Sequence, residues 1–187
     1  MARKPNILFF HVDNLGMGEL GCYGGGILRG ADTKRMDNFA KQGVKLTHYV
    51  VEPQCTPTRS ALMTGRFPIR SGNHTIALGG NGGGIVKWER TIGSILSEAG
   101  YATSIYGKWH IGAEDGRFPT DHGFDEWYGP LRTYDECMWL TDPHYVPERD
   151  GFSHMHEGVK GKGAWPLLDE QLTMETKKTC DLEYQKR

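Results

Sequence analysis

The chain has 187 residues, 37% of them hydrophobic and 24% charged, which is enough apolar material for one globular domain with a buried core. Its 22 Lys and Arg stand against 23 Asp and Glu, so no overall basic field draws it to nucleic acid or to an anionic membrane. Cys22, Cys55, Cys137 and Cys180 are widely spaced and form no C-x-x-C pair, which argues against both a zinc site and a dense disulfide framework.

Met1 to Pro5 leads straight into Ile7-Leu8-Phe9-Phe10, too short an apolar stretch for a signal peptide or a membrane span. As written, the chain is expected in the cytoplasm, or in the periplasm if a leader was removed. Asn6 to Val12 is a short, nearly continuous apolar run, as expected of a strand buried on both faces of a mostly parallel sheet, and it stops at Asp13-Asn14-Leu15-Gly16. Thr33 to Gln42 reads as a helix with Asp32 or Thr33 as N-cap, Met36, Phe39 and Ala40 on one face, and Gly43 as its stop. Val44 to Val51 reads as a second strand. Thr58 to Met63 reads as a helix entered through Pro57 and closed by Gly65, and Thr91 to Ala99 as another, closed by Gly100. Tyr101 to Tyr106 makes a third strand, followed at once by Gly107-Lys108-Trp109-His110. The glycine runs at Gly24-Gly25-Gly26 and from Gly79 to Gly84 lack the spacing of a phosphate-binding loop and are assigned to loops. After about residue 130 the pattern weakens into an irregular excursion. Trp88, Trp109, Trp127 and Trp139 are expected to pack, and Cys22, Cys137 and Cys180 to be inert.

This α/β alternation has a chemical consequence, because open α/β sheets place ligands beyond the carboxyl ends of their strands. Asp13 and Asn14 follow the first strand; Lys108 and His110 follow the third. A helix opening at Pro57 puts Cys55 at its N-terminal end, where backbone N–H groups and the helix dipole favour an anion. Arg59 follows about one turn later, so its planar fork of donors reaches the same spot and suits a tetrahedral oxyanion.

Cys55-Thr56-Pro57-Thr58-Arg59-Ser60-Ala61-Leu62-Met63-Thr64-Gly65 resembles the first signature of the type I sulfatases, C-x-P-x-R followed by an apolar pair, Thr and Gly. Gly100 to His110 resembles the second signature, and Pro5-Asn6-Ile7-Leu8 into Asp13-Asn14-Leu15-Gly16 resembles the start of that family. The likeness covers at least residues 5 to 112. It departs at Gln54, where an aliphatic or small residue is more usual, and at Tyr106, where a smaller one is expected.

The resemblance implies the N-terminal part of one alkaline-phosphatase-like catalytic domain, a three-layer α/β/α sandwich around a mostly parallel sheet, with residues 5–112 as its motif-bearing core and residues from about 113 to 187 as an excursion leading to a further helix. It implies hydrolysis of sulfate esters to an alcohol or phenol and inorganic sulfate. A separate formylglycine-generating enzyme would oxidise Cys55 to formylglycine, whose hydrated aldehyde attacks sulfur; the sulfated hemiacetal then expels sulfate by restoring the aldehyde. Carried over by position, Arg59 holds residue 55 and the sulfate, Lys108 binds a sulfate oxygen, and His110 contacts the formylglycine hydroxyl and assists release. Asp13, Asn14 and residue 55 map onto ligands of a divalent cation, usually calcium, with magnesium as the alternative. Calcium takes about six to eight oxygens, of which Asp13 and Asn14 supply two.

The family draws further ligands, an Asp-Asn pair, plus another His and Lys, from a stretch well downstream, and nothing after residue 112 reproduces that motif. The chain therefore reads as a fragment whose activity alone is not expected. A sulfate ester substrate and the maturation enzyme are the expected partners, with no nucleic acid and no membrane; the oligomeric state stays open. Two alternatives stay open as well. One is a related hydrolase acting on phosphodiesters or phosphonate monoesters with the same nucleophile. The other is an inactive chain that binds anions without turnover. Direct thiol catalysis lacks a visible His/Asn partner motif.

Overall fold

The structure, a computed structural model, describes residues 4–26, 32–76, 83–133 and 155–166. The chain divides into two compact units, Met1–Val51 and Glu52–Arg187.

In the first unit, α1 spans Lys34–Ala40 with Thr33 as its N-cap. The Thr33 hydroxyl spends its hydrogen on Asp37 and accepts the Gly21 amide at 2.9 Å. The Asp37 carboxylate also accepts the Cys22 amide at 2.7 Å, so α1 is stapled to the short 3-10 turn Gly21–Tyr23, which follows another at Met17–Glu19. Lys45 completes the knot, donating to the Cys22 carbonyl while its ammonium lies 5.3 Å from the centre of the Tyr23 ring. The two strands expected at Asn6–Val12 and Val44–Val51 are not formed. Leu8, Phe10, Val44 and Val50 are each about four-fifths exposed or more, and no described residue pairs with either segment in a ladder. The physical reason is that a parallel strand exists only through its neighbours. The apolar pattern records a demand for two covering layers, which this unit does not supply. Met36 and Phe39 on α1 are likewise left exposed.

In the second unit, α2 spans Cys55–Thr64, α3 Pro68–Ser71 and α4 Ile92–Glu98. Helix α2 starts earlier than the proline alone predicts, with Gln54 as N-cap and Cys55 as its first residue. Pro57 costs nothing there, since a first-turn amide has no intrahelical acceptor. The stop at Gly65 is as expected: it adopts φ 67°, a left-handed conformation in which a side chain is strained. Helix α4 is opened by the Thr91 hydroxyl, which accepts the Ser94 amide at 3.2 Å.

The sheet runs β1 (Ser104–Tyr106), β2 (Glu126–Pro130), β3 (Met155–Val159) and β4 (Gly163–Pro166) in that spatial order. Pair β1–β2 is parallel, with Ile105 opposite Trp127, while β2–β3 and β3–β4 are antiparallel. Among the described residues the sheet is thus mixed, and it continues into residues 155–166, beyond the point where the sequence pattern fades. The core is Ile85, Trp109, Ile111, Phe124 and Trp127, all buried, with His156 stacked on Trp127 at 5.6 Å. Trp109 and Trp127 pack as expected; Trp88 does not, because it sits in a turn and is 82% exposed. Cys137, Cys180 and Trp139 lie outside the described residues.

His122 is the most consequential buried polar group of this core. Its ring stacks on Trp109 at 6.1 Å, and its Nδ1 lies 3.2 Å from the Glu89 carbonyl, which can only accept, so Nδ1 carries the proton. Nε2 is buried with no acceptor among the described residues. Burial holds the imidazole below its ordinary value, against the opposing pull of the Glu89 carbonyl and of the Asp121 and Glu89 charges. The unfolded chain therefore takes up this proton more readily than the folded one. Stability is full above the unfolded imidazole value of about 6.5 and falls as pH drops below it, by at most about 1.4 kcal/mol per pH unit. Melting temperatures between about pH 7 and pH 5 check this. His122→Gln, which keeps a donor for Glu89 and cannot titrate, should melt with a flatter pH dependence; an unchanged slope would assign the acid sensitivity to other groups.

Candidate functional site

Helix α2 presents three residues of its first turn and a half to one stretch of chain, Gly107–His110, which leaves the carboxyl end of β1. Lys108 Nζ donates to Cys55 Sγ at 3.0 Å, across 53 residues of sequence. Arg59, 9% exposed, donates an Nη1 hydrogen to the Lys108 carbonyl. The buried Thr56 hydroxyl donates to the His110 carbonyl at 2.8 Å. Residues 56 and 59 are three apart and share a helix face, so they grip carbonyls two residues apart on the facing segment.

The other side of that segment hangs on β2 and its continuation. Gly107 N donates to the Tyr128 carbonyl at 2.9 Å, Trp109 N to Pro130 at 3.1 Å and His110 N to Leu131 at 2.9 Å. Trp109 and Ile111 fill the core, and buried His110 takes φ 59°, a left-handed conformation uncommon outside glycine, though Asn, Asp and His adopt it more readily than other side chains. The chain is bent here and held on both sides, a mark of a place where positioning outweighs backbone comfort. Close approach on the sheet side requires Gly129, since a Cβ there would lie 2.1 Å from the Gly107 oxygen, a backbone atom that cannot swing away. Gly129→Ala is expected to cost at least about 1–3 kcal/mol through overpacking, read as a lower melting temperature. A variant as stable as the parent would mean that β2 can retreat from Gly107 freely.

Cys55 and Lys108 are half-buried, so the pair is reachable from solvent while Arg59 and His110 behind it are not. The arrangement offers a reactive side chain at the positive end of a helix, faced by an ammonium and backed by a guanidinium. It can hold a tetrahedral anion against residue 55. The second unit thus brings together four residues expected from sequence, Cys55, Arg59, Lys108 and His110. Thr56, which occupies the variable position of C-x-P-x-R, was not singled out, because nothing local marks a threonine as the partner of a carbonyl 54 positions away.

Asp13 and Asn14 stand side by side in a turn of the first unit, with Asn14 at φ 57°. A carboxylate and an amide carbonyl adjacent in a turn fit two positions around a hard cation, which is bound through oxygen. Among the described residues, no group of three or more His, Cys, Asp and Glu could hold a metal ion. The donor set present is therefore partial.

A cysteine at the first position of a helix with an ammonium on its sulfur suits an anionic ligand, and the comparisons supply the family. The Sulfatase family model matches residues 5–180. Human arylsulfatase D is 43% identical over 163 residues, which cover 80% of this chain and 26% of that protein. Human steryl-sulfatase is 40% identical over 141 residues, 68% of this chain and 24% of the relative. The crystal structure of PsFucS1 sulfatase from Pseudoalteromonas sp. superposes with a TM-score of 0.75 at 32% identity, covering 98% of this chain and 42% of that one. The chain belongs to the sulfatase family and has its α/β fold. It spans about a quarter of the length of the curated relatives it matches. Among the described residues, no helix is long and apolar enough to cross a membrane.

Proposed function

We propose that this chain carries the nucleophile and the sulfate-binding cations of a sulfate ester hydrolase, with Cys55 as the precursor of the attacking group. The observation that supports this most is the contact of Lys108 Nζ with Cys55 Sγ at 3.0 Å, with Arg59 gripping the Lys108 main chain from the same helix. An ammonium held at that atom suits an anion placed there.

In this reading Cys55, oxidised by a formylglycine-generating enzyme, supplies a hydroxyl that attacks the sulfur of the ester. Lys108 neutralises an oxygen of the sulfate as negative charge grows in the transition state. Arg59 fixes Lys108 through its carbonyl and adds a second positive charge behind residue 55. His110 is assigned the proton on the residue 55 hydroxyl, whose removal accompanies release of sulfate. Asp13 and Asn14 are proposed as two oxygen ligands of a divalent cation, calcium in preference to magnesium because an amide and a carboxylate suit its loose coordination. Such a cation would supply positive charge of the kind that neutralises an anionic ester. The substrate class is a sulfate ester of a phenol or alcohol, in keeping with relatives named arylsulfatase, steryl-sulfatase and N-acetylgalactosamine-6-sulfatase.

The test is coexpression of the full-length protein with a formylglycine-generating enzyme, followed by intact mass and by parallel assays on aryl sulfate, aryl phosphonate monoester and phosphodiester. Loss of thiol mass at Cys55 together with preferential cleavage of the sulfate is the expected result. A matured protein that cleaves only the phosphorus esters would replace the sulfatase reading with the phosphonate one, and a matured protein that cleaves none would end both.

A further inference from the structure

We infer that Thr56 is a positioning residue, whose buried hydroxyl fixes the turn at His110 and so holds the Lys108 ammonium on the side chain of residue 55. Three observations carry it. The Thr56 hydroxyl donates to the His110 carbonyl at 2.8 Å, and both residues are buried, at 3% and 7% exposure. His110 is one of two described non-glycine residues with positive φ, so its carbonyl is aimed by a backbone conformation that needs outside support. Lys108, two residues earlier, reaches Cys55, the residue that immediately precedes Thr56.

The geometry is a closed loop of chain. Thr56 ties the helix to His110, Lys108 ties the same segment back to Cys55, and Arg59 ties the Lys108 carbonyl one turn further along α2. Removing the Arg59 contact would free one carbonyl and leave the bend at His110 braced. Removing the Thr56 contact takes away the helix-side brace at the strained residue itself, while the sheet-side bond from His110 N to the Leu131 carbonyl stays. The side chain touches neither substrate nor reacting atoms in this scheme; it acts through the main chain of His110. A serine would serve as well as threonine, and a valine of the same shape would not.

This assignment deepens the proposed reading of the Cys55 site, but its test reads geometry in the unmatured thiol form and needs no turnover. Ortho-phthalaldehyde condenses with a thiol and a primary amine in contact to a fluorescent isoindole; one C–S and two C–N bonds form and two waters leave. The full chain, with Cys22, Cys137 and Cys180 replaced by serine and produced without a maturation enzyme, should give isoindole from Cys55 and Lys108, with Lys108→Arg as the blank. Thr56→Val should lower the yield about fivefold, the shift that loss of one buried hydrogen bond permits, and Thr56→Ser should retain it. Thr56→Ala, which removes the hydroxyl without placing a methyl against the carbonyl, is the second variant in case valine disturbs folding. Full yield in the valine or alanine variant overturns the inference, as does a loss of yield in the serine variant equal to that in valine, which would assign the effect to packing. Absent sulfate ester cleavage with the expected isoindole pattern would defeat the proposed activity and leave this assignment standing.

Discussion

On the proposed reading, Cys55→Ala in the full-length protein coexpressed with the maturation enzyme is expected to bring sulfate ester hydrolysis down to background, a loss of about 10⁴-fold to 10⁶-fold in kcat, the range seen when a covalent nucleophile is deleted. The size follows from the site's division of labour. In the proposed reading Lys108 and Arg59 stabilise charge on the sulfate, but neither can form the bond to sulfur, so without residue 55 they would bind and not turn over. The fold should be indifferent. Cys55 is half-buried at the first position of α2 and its side chain is no part of the buried core around Trp109 and Trp127, so melting should shift by only a degree or two. The measurements are initial rates on an aryl sulfate, the melting temperature, and intact mass, which should show the aldehyde in the parent and not in the variant. Undiminished turnover would remove Cys55 from the chemistry altogether. Lost turnover accompanied by unfolding would be read from the melting curve before any rate.

Helices α1, α2 and α4 and their C-terminal stops were legible in sequence because the forces that set them are local, whereas the one-turn α3 carried no periodic signal and α2 begins three residues before the expected Thr58. Thr91 and Ser94 are three residues apart, and Gly65 and Gly100 stop their helices by left-handed backbone that glycine adopts cheaply. The spacing of Cys55 and Arg59 is equally local, and one helical turn brings both to the same end of α2. Strands were legible only as demand. Tyr101 to Tyr106 found a neighbour, β2, and formed a ladder over Ser104–Tyr106; Asn6–Val12 and Val44–Val51 carry the same apolar signal and found none among the described residues. The hairpin of β3 and β4 lies where aromatic, proline and glycine residues mask period-two alternation, and Gly158 opposite Ala164 leaves little side chain to announce a packed face. Least legible were contacts between distant segments. That Arg59 would grip the main chain of Lys108, and Thr56 that of His110, follows from the sheet placing residue 107 beside residue 129, which no window of sequence contains.

The double duty of Arg59 leads to the second large effect. Its guanidinium both braces Lys108 and stands as a positive charge behind residue 55, and two substitutions separate these roles. Arg59→Met removes charge and donor together, leaving the Lys108 carbonyl to find another partner; a lost hydrogen bond from a charged donor costs about 1.5–3 kcal/mol, so the variant should melt several degrees lower. Arg59→Lys keeps the charge, and its ammonium can reach a carbonyl, so much of that stability should remain. It cannot reproduce a planar fork that serves a carbonyl and an anion at once. Both variants are therefore expected to lose about 10²-fold to 10³-fold in kcat, the scale of removing one preorganised charge-stabilising donor. Sulfate inhibition should weaken in parallel, since inorganic sulfate occupies the same cradle as the ester. The comparison is decided by the lysine variant: if it hydrolyses an aryl sulfate at the parent's kcat/KM, the fork is dispensable, and Arg59 is a brace for residue 108 whose charge the reaction does not use. If its stability is kept and its turnover is lost, the guanidinium acts on the sulfate directly, and the geometry of α2 exists to put it there.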